Sequence, residues 1–305
     1  MGSWLNYGLG SESDSIPGYV VMTDPKGALP AGQPMYTQGF LPANFQPTMF
    51  RPGENPVLNL NLPNGISLKE RKRTLDLIGE LNRANLNEED HEFSARIDSY
   101  DLAFKMQTEA PEARDPSRES QETLNLYGIG GEHTNDYGRR CLMARKLVEN
   151  GVRFITVVSG GGTGDLMWDA HKDIEENHVR MAQHTDQPVA GLIKDLKRRG
   201  LLDSTLVLWG GEFGRSPEAE AGIGRDHHNL GFTMWMAGGG IKGGQVVGAT
   251  DEIGLHAVER PYHFRDIHNT ILHQLGLDQH KLTYPHMGRD ERLTFLEGKL
   301  VREII

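Results

Sequence analysis

The stretch that most constrains the fold of this chain runs from Thr205 to Gly240. Two short apolar runs within it, Thr205–Trp209 and Phe232–Ala237, are rich in β-branched and aromatic residues and are bounded by glycines. Runs of this kind predict buried strands. Acidic residues, an arginine and two histidines lie between the runs. Because open α/β sheets bind ligands at the carboxyl ends of their strands, the stretch predicts part of a metallohydrolase site at a sheet edge.

Alternating helical and strand patterns occupy the second half of the chain. The predicted elements are helix Asp136–Asn150, strand 153–159, a long helix Asp173–Arg199 that Pro188 could break, the two strands above, a short strand near Gln245–Val247, and a helix from Phe264 to Gly276. Strands separated by helices predict an α/β fold with a mostly parallel sheet flanked by helices.

The first half of the chain is less regular. Residues 1–65 carry many Gly, Pro and Asn without sustained periodicity, but their aromatic residues are too numerous for disorder, so we expect a packed, extended cover. Ser67 and Glu70 form a capping box that predicts a helix over 67–83, and a second helix is expected over 89–109. We expect a single domain over 1–305.

Within that domain, residues 1–134 are expected to form the irregular cover and helices, and residues 135–305 the α/β core. The net charge of −10, with the cations dispersed, argues against binding to nucleic acid. It leaves room for a small anionic substrate, because one metal ion or arginine can reverse the local field. Cys141 is the only cysteine, which excludes an intrachain disulfide, and its helical surroundings predict a half-buried thiol.

No apolar run approaches the roughly 18 residues that a membrane span requires, and the N-terminus lacks the features of a signal peptide. Taken literally, the sequence therefore predicts a cytoplasmic chain.

Two clusters contain potential metal ligands. Asp169 and His171 lie in the loop before the long helix, and Asp226 and His227 lie in the loop between the two strands. Carboxylate oxygens together with imidazole nitrogens suit zinc or manganese better than calcium. His228 points away from His227 in any regular backbone, so at most one of the two is expected to join a given site.

A third cluster follows the strand that ends at Trp209. Gly210 and Gly211 allow the backbone to turn sharply and to direct Glu212 at the sheet edge. Arg215 could form a salt bridge with Glu212, or it could hold an anionic substrate in a bidentate grip. Both alternatives stay open from the sequence. Asp173 is favoured as a helix N-cap over a ligand.

The order of these motifs resembles two known groups of proteins. The whole chain is similar to the bacterial family called domain of unknown function 1501, through the segments GSWLNYGLGSES, RPGENPVLNL, WDAH, GGEFGRSP, GRDHHN and LTYPHMGRDERLT. The part over about 150–280 also resembles the alkaline phosphatase/sulfatase superfamily, whose members use two metal ions, usually zinc, beside a nucleophile.

The superfamily resemblance implies roles for particular residues. Asp169, His171 and His227 would hold one metal ion. Glu212 stands where the second site usually has an Asp, and Phe213 stands where it has a His, with Asp226 as a conceivable substitute. The fold implied is alkaline-phosphatase-like.

For the catalytic group, the resemblance implies that Arg215 would neutralise charge developing on the substrate oxygens. The function implied is a metal-dependent hydrolase of phosphate or sulfate esters acting on a small anionic ester. The alternative is a non-catalytic binding protein that keeps the fold.

The resemblance also implies that this chain lacks the N-terminal segment with which family members begin. Family members begin with a strand and a GGPS-type segment before the position matching GSWLNYG, and that segment supplies the nucleophile. We therefore expect an alkaline-phosphatase-like fold lacking its first strand segment, and a longer parent that is periplasmic or secreted. Cys141 is followed by Leu-Met-Ala-Arg, so the chain lacks the C-x-P-x-R sequence of sulfatases.

Overall fold

A computed structural model describes residues 1–25, 32–51, 64–84, 118–160, 167–219 and 222–305, with the further positions 27, 57, 62, 95, 97, 98, 102 and 104–106. In chain order its helices and strands are α1 (Gly2–Leu9), β1 (Tyr19–Met22), β2 (Thr48–Phe50), α2 (Leu68–Ala84), α3 (Gln121–Leu126), α4 (Asn135–Glu149), β3 (Phe154–Val157), α5 (Ile174–Arg198), β4 (Val207–Trp209), β5 (Gly214–Arg215), β6 (His227–His228), β7 (Trp235–Ala237), β8 (Ala249–Thr250), β9 (Ala257–Glu259), α6 (Phe264–Gln274), β10 (Thr283–His286) and β11 (Arg289–Arg292). The fold is mixed α/β, as expected, but the predicted mostly parallel sheet is confirmed only in part, because parallel pairing among the described strands is limited to β1, β2 and β3.

The chain divides into two compact units. Unit 1 comprises Met1–Glu119 and Leu142–Ser159, and unit 2 comprises Ser120–Cys141 and Gly160–Ile305. The chain passes from one unit to the other at three points, one of which, between Cys141 and Leu142, falls within α4. The expectation of a single domain over 1–305 stays a prediction.

Unit 1 contains a three-stranded parallel sheet in the order β2-β1-β3. Val20 in the central strand is in register with Thr48 on one side and Ile155 on the other. The core beside the sheet is formed by Ile16, Val20, Met22, Phe50, Met106, Ala144, Leu147 and Val152. Strand 153–159 was predicted, and it forms as β3.

The prediction of an extended cover over residues 1–65 is wrong, although the expectation that its aromatic residues pack is met. The segment contains helix α1 and the central strand β1. All four residues of β1 are buried, so the strand shows none of the polar alternation that marks a half-exposed strand. Trp4 and Phe50 are among its buried aromatic side chains.

Unit 2 is built around the long helix α5, which continues through Pro188 rather than breaking there. Contacts with α3 hold the turns around the proline in place. Gln187 donates to the Asn125 carbonyl oxygen at 2.8 Å, and Tyr127 donates its hydroxyl to the buried Asp195 at 3.0 Å. Gly191 lies so close to α3 that a Cβ would stand 2.6 Å from the Leu126 carbonyl oxygen.

The strands of unit 2 form short antiparallel pairs in the described part of the chain: β4 with β7, β5 with β6, β8 with β9, and β10 with β11. The runs Thr205–Trp209 and Phe232–Ala237 therefore form an antiparallel pair and are half-buried rather than buried; Leu208 is 39% exposed. Short apolar runs do not reveal strand direction, which depends on the path of the loop between them.

The other helices agree with the sequence patterns. α2 begins at the capping box formed by Ser67 and Glu70, α4 ends before Gly151, and α6 begins at a capping box formed by His263 and Asp266. The short strand predicted near Gln245–Val247 is wrong, because the nearest strand is β8, which begins at Ala249. Most of the helix predicted over 89–109 lies outside the described residues.

None of the described helices has the length and apolar character needed to cross a membrane.

Candidate metal centre

Two separate segments of unit 2 are joined by backbone contacts at the site. The segment before α5 carries Asp169 and His171, and the return leg of the β5–β6 loop runs beside it. Arg225 donates its backbone N–H to the Ala170 carbonyl oxygen at 2.9 Å, and Asp173 forms a parallel bridge with Ile223.

Gly224 is where these segments approach most closely. A Cβ at Gly224 would lie 1.9 Å from the carbonyl oxygen of His171, so only glycine fits. Asp173 caps α5 by accepting from the Glu176 backbone N–H at 3.1 Å, which confirms it as an N-cap and fixes where the preceding loop ends.

The β5–β6 pair then directs the remaining side chains. Arg215 lies opposite His227 in the ladder. At the end of the pair, the Ser216 N–H donates to the Asp226 carbonyl oxygen at 3.0 Å, and the Asp226 N–H donates to the Ser216 hydroxyl at 3.1 Å. These reciprocal bonds close the loop that carries Asp226 and His227 back to the ladder.

Three potential ligand atoms converge at the centre of the site. Asp169 Oδ1 lies 3.0 Å from His171 Nε2 and 2.8 Å from His227 Nε2, and the two imidazole nitrogens are 3.1 Å apart. These three residues form a potential metal-binding group, with the atoms within 4.8 Å of one another. The side chains are between 36% and 48% exposed, so the group is open to solvent.

Asp226 contacts the opposite side of His171. Its Oδ1 lies 3.0 Å from Nδ1, which leaves Nε2 of the same ring facing Asp169 and His227. A metal-binding histidine commonly donates its second N–H to a carboxylate, which fixes the tautomer and the orientation of the ring. Asp226 therefore has the position of an orienting group, and its predicted role as a ligand stays untested.

Arg215 pairs with Asp169 and not with Glu212. Its Nη2 lies 2.9 Å from Asp169 Oδ1 and also donates to the Trp168 carbonyl oxygen at 3.0 Å. Burial of the Asp169 carboxyl acts to raise its pKa, but hydrogen bonds from His227 and Arg215 outweigh burial and lower the pKa below its usual value. The carboxylate is thus held ionised, as a metal ligand must be.

Glu212 is exposed and lies outside the group of three in the described part of the chain. Phe213, the next residue, packs its ring against His227 with the centroids 4.2 Å apart. An apolar ring therefore covers one side of the His227 imidazole. The remaining ring of the His-His pair, His228, contacts the Leu255 carbonyl oxygen instead of the group, in line with the expectation that only one of the two joins it.

The donor atoms fit a metal ion chemically. If His171 donates Nδ1–H to Asp226, its Nε2 is an acceptor that faces the Asp169 carboxylate, and His227 Nε2 is the third donor atom of the group. A bound cation would take the place of the proton that His227 Nε2 donates to Asp169. Tetrahedral zinc with bonds near 2.0–2.1 Å separates its ligands by about 3.3 Å, so the observed edges need to widen only slightly.

The arrangement therefore defines a mixed α/β chain with an open Asp-His-His group. A family model described as "Protein of unknown function (DUF1501)" matches residues 1–305, and the chain belongs to that family. Neither the comparison with curated proteins nor the comparison with solved structures returned a match.

Two features of the site were not recognised in the sequence. Gly224 lies two residues before Asp226, and the sequence does not indicate which segment approaches its backbone. The ring contact of Phe213 with His227 has no signal in the sequence, since it depends on how β5 pairs with β6.

Proposed function

We propose that this protein is a metal-dependent hydrolase of phosphate or sulfate esters, and that its fold is alkaline-phosphatase-like. The observation that carries the proposal is the convergence of Asp169 Oδ1, His171 Nε2 and His227 Nε2 within 3.1 Å of one another. Three protein ligands with an open side are typical of catalytic zinc sites, which keep a coordination position for water or substrate.

The composition of the group supports zinc over manganese. Two imidazole nitrogens and one carboxylate oxygen resemble the donor sets of catalytic zinc enzymes, whereas manganese favours carboxylates and water. Bound zinc would supply Lewis-acid polarisation of an ester oxygen. A small anionic ester is the expected substrate, because the cation would offset the negative charge of the chain near the site.

Two further residues would orient or charge the metal ligands. Asp226 would hold the His171 ring with Nε2 toward the group. Arg215 would keep Asp169 ionised, since its guanidinium bonds to that carboxylate. Its predicted role in neutralising substrate oxygens has less support, because Nη1 also donates to the Arg225 carbonyl oxygen and Nη2 to that of Trp168.

The test combines metal content with activity. The purified 305-residue chain is stripped with a chelator, reloaded with zinc or manganese, and analysed for bound metal and for hydrolysis of a panel of phosphate and sulfate monoesters. We expect about one zinc per chain, and ester hydrolysis that the chelator abolishes and zinc restores. His171→Ala should lose both properties. His273→Ala, which removes an exposed histidine of α6, should keep both.

Failure to bind either metal would refute the proposal, and so would activity in the stripped protein or in His171→Ala equal to that of the zinc-loaded chain. The alternative is a non-catalytic binding protein. It is favoured by the engagement of Arg215 in hydrogen bonds with Asp169 and two backbone carbonyl groups, and by Phe213 in the position where the superfamily has a histidine. Metal binding without turnover of any ester would support this alternative.

A further inference from the structure

Three of the four tryptophans in the sequence form one continuous aromatic surface in unit 2, which we call the tryptophan wall: Trp168, Trp209 and Trp235. Trp209 and Trp235 lie directly opposite each other across the β4–β7 ladder. Their rings are parallel within 7°, with the centroids 6.2 Å apart. Trp168 meets Trp209 edge-on at 6.1 Å, and all three side chains are half-buried and keep accessible surface.

The wall is joined to the metal-binding group at two points. Trp168 immediately precedes Asp169, and its carbonyl oxygen accepts a hydrogen bond from the same Arg215 nitrogen that bonds to the Asp169 carboxylate. From Trp209, the middle ring of the wall, the chain continues through Gly210, Gly211 and Glu212 to Phe213, whose ring packs on His227 with the centroids 4.2 Å apart.

Strand stability alone accounts poorly for this arrangement. A cross-strand aromatic pair does stabilise a two-stranded ladder, by up to about 1 kcal/mol. However, Trp209 and Trp235 are only partly buried, and Leu208, whose side chain lies on the opposite face of β4, is 39% exposed, so neither face of the ladder lies in a closed core. Partly accessible aromatic side chains beside a few convergent polar groups are typical of small-molecule sites, where aromatic surface holds the ligand and polar groups orient it.

We propose that the tryptophan wall binds the flat, apolar face of a ring in the alcohol portion of the ester substrate. This inference rests on the hydrolase function proposed above, and it narrows the substrate class from small anionic esters in general to ring-bearing ones. Both an aryl ring and a pyranose sugar present such a face, and the shared chemistry is ring stacking on indole.

The experiment compares esters whose leaving alcohols have similar basicity, so that binding and not intrinsic reactivity separates them. The probes are benzyl phosphate for the aryl ring, glucose 6-phosphate for the pyranose ring, and ethyl phosphate without a ring. For zinc-loaded protein we expect kcat/KM to be about fivefold to tenfold higher for at least one ring ester than for ethyl phosphate. Preference for one ring ester over the other identifies the type of ring.

Variants separate a binding role from a structural role. Trp235→Leu should reduce the ratio of ring-ester to ethyl-ester kcat/KM toward one, mainly through KM, and Trp235→Phe should restore part of it. Phe295→Leu is the matched control, because it removes an aromatic side chain that is 81% exposed and should leave the ratio unchanged. Circular dichroism and bound zinc are measured for each variant, and Trp209→Leu provides a second test if Trp235→Leu does not fold.

The outcomes distinguish the two proposals. Hydrolysis of all three esters with equal kcat/KM would overturn the proposal of ring binding without affecting the hydrolase proposal. The same holds if the ratio of ring-ester to ethyl-ester kcat/KM is unchanged in a folded Trp235→Leu or Trp209→Leu variant. If neither these esters nor the phosphate and sulfate monoesters of the panel above are hydrolysed, the hydrolase proposal fails, and titration with benzylphosphonate then tests ring binding by the tryptophan wall. Saturable quenching of tryptophan fluorescence that is lost in Trp235→Leu then supports ring binding, and the absence of quenching overturns it.

Discussion

Gly224→Ala provides a severe test of the way the site is assembled. In the structure, a Cβ at this position would lie 1.9 Å from the His171 carbonyl oxygen, 2.0 Å from its carbonyl carbon and 2.4 Å from the Lys172 nitrogen. A carbon and a carbonyl oxygen normally stay about 3.3 Å apart. The two segments would therefore have to separate by about 1.4 Å, and all three contacting atoms belong to backbone that cannot rotate away.

The expected free-energy change follows from two terms. Overpacking of this kind costs about 1–3 kcal/mol, and losing the Arg225 to Ala170 backbone hydrogen bond costs about 0.5–1.5 kcal/mol more. We expect a loss of about 2–4 kcal/mol, which corresponds to a decrease in Tm of roughly 3–6 °C for a chain of 305 residues. Separation also moves His227 away from Asp169 and His171, so zinc affinity should fall by about 100-fold.

The assay is thermal unfolding of the stripped chain with and without zinc, together with zinc titration against a competing chelator. Gly243→Ala is the control, because no atom lies within 4 Å of a Cβ there and its backbone does not require glycine. It should change stability by less than about 0.5 kcal/mol. If Gly224→Ala keeps the Tm and zinc affinity of the unmodified chain, the segments are not packed as described and the assembly of the site is refuted.

Three further predictions concern other side chains. Asp226→Ala should lower zinc affinity by about 10–100-fold at unchanged stoichiometry, because His171 loses its orienting carboxylate; a change in stoichiometry measured by metal analysis would make Asp226 a ligand instead. Burial raises the pKa of the Cys141 thiol to about 12, so a thiol reagent should modify no cysteine in the folded chain and one in denaturant; rapid labelling of the native chain would contradict its burial. Burial lowers the pKa of His178, and the nearby Arg215 charge acts in the same direction. The unfolded chain therefore binds more protons than the folded chain, and the free energy of unfolding should decrease as the pH falls below about 6.5. His178→Phe should show a smaller decrease between pH 7 and pH 5 in thermal unfolding, and an identical decrease would remove His178 from this account.

The sequence also predicted a thiol that is half-buried, and in this respect it was wrong. Cys141 is only 1% exposed. The helical pattern around it was read correctly, since α4 spans Asn135–Glu149. The pattern identifies one apolar face of a helix, but the degree of burial depends on what packs on the remaining faces, which the sequence of the helix does not contain.

For the candidate site, the sequence supplied the residue types but not their arrangement. Asp169, His171 and His227 were identified because histidines and carboxylates follow predicted structural elements. The expected alternatives for Arg215 were a salt bridge with Glu212 or bidentate hydrogen bonding to an anionic substrate. The structure instead pairs it with Asp169, 46 residues away along the chain. Nearness in sequence favoured Glu212, but the β5–β6 pairing directs Arg215 toward the loop before α5.

Local signals in the sequence determined the helices α2, α4 and α6, but not α1. Capping boxes, 3.6-residue periodicity and terminal glycines are short-range properties, and they placed α2, α4 and α6 within a few residues. Tertiary structure alone decided that β1 is the central strand of a parallel sheet, that β4 and β7 run antiparallel, and that α5 passes through Pro188 unbroken. Strand pairing and the close approach at Gly224 are made between segments far apart in the chain, and their energies depend on partners that no local window of sequence reveals.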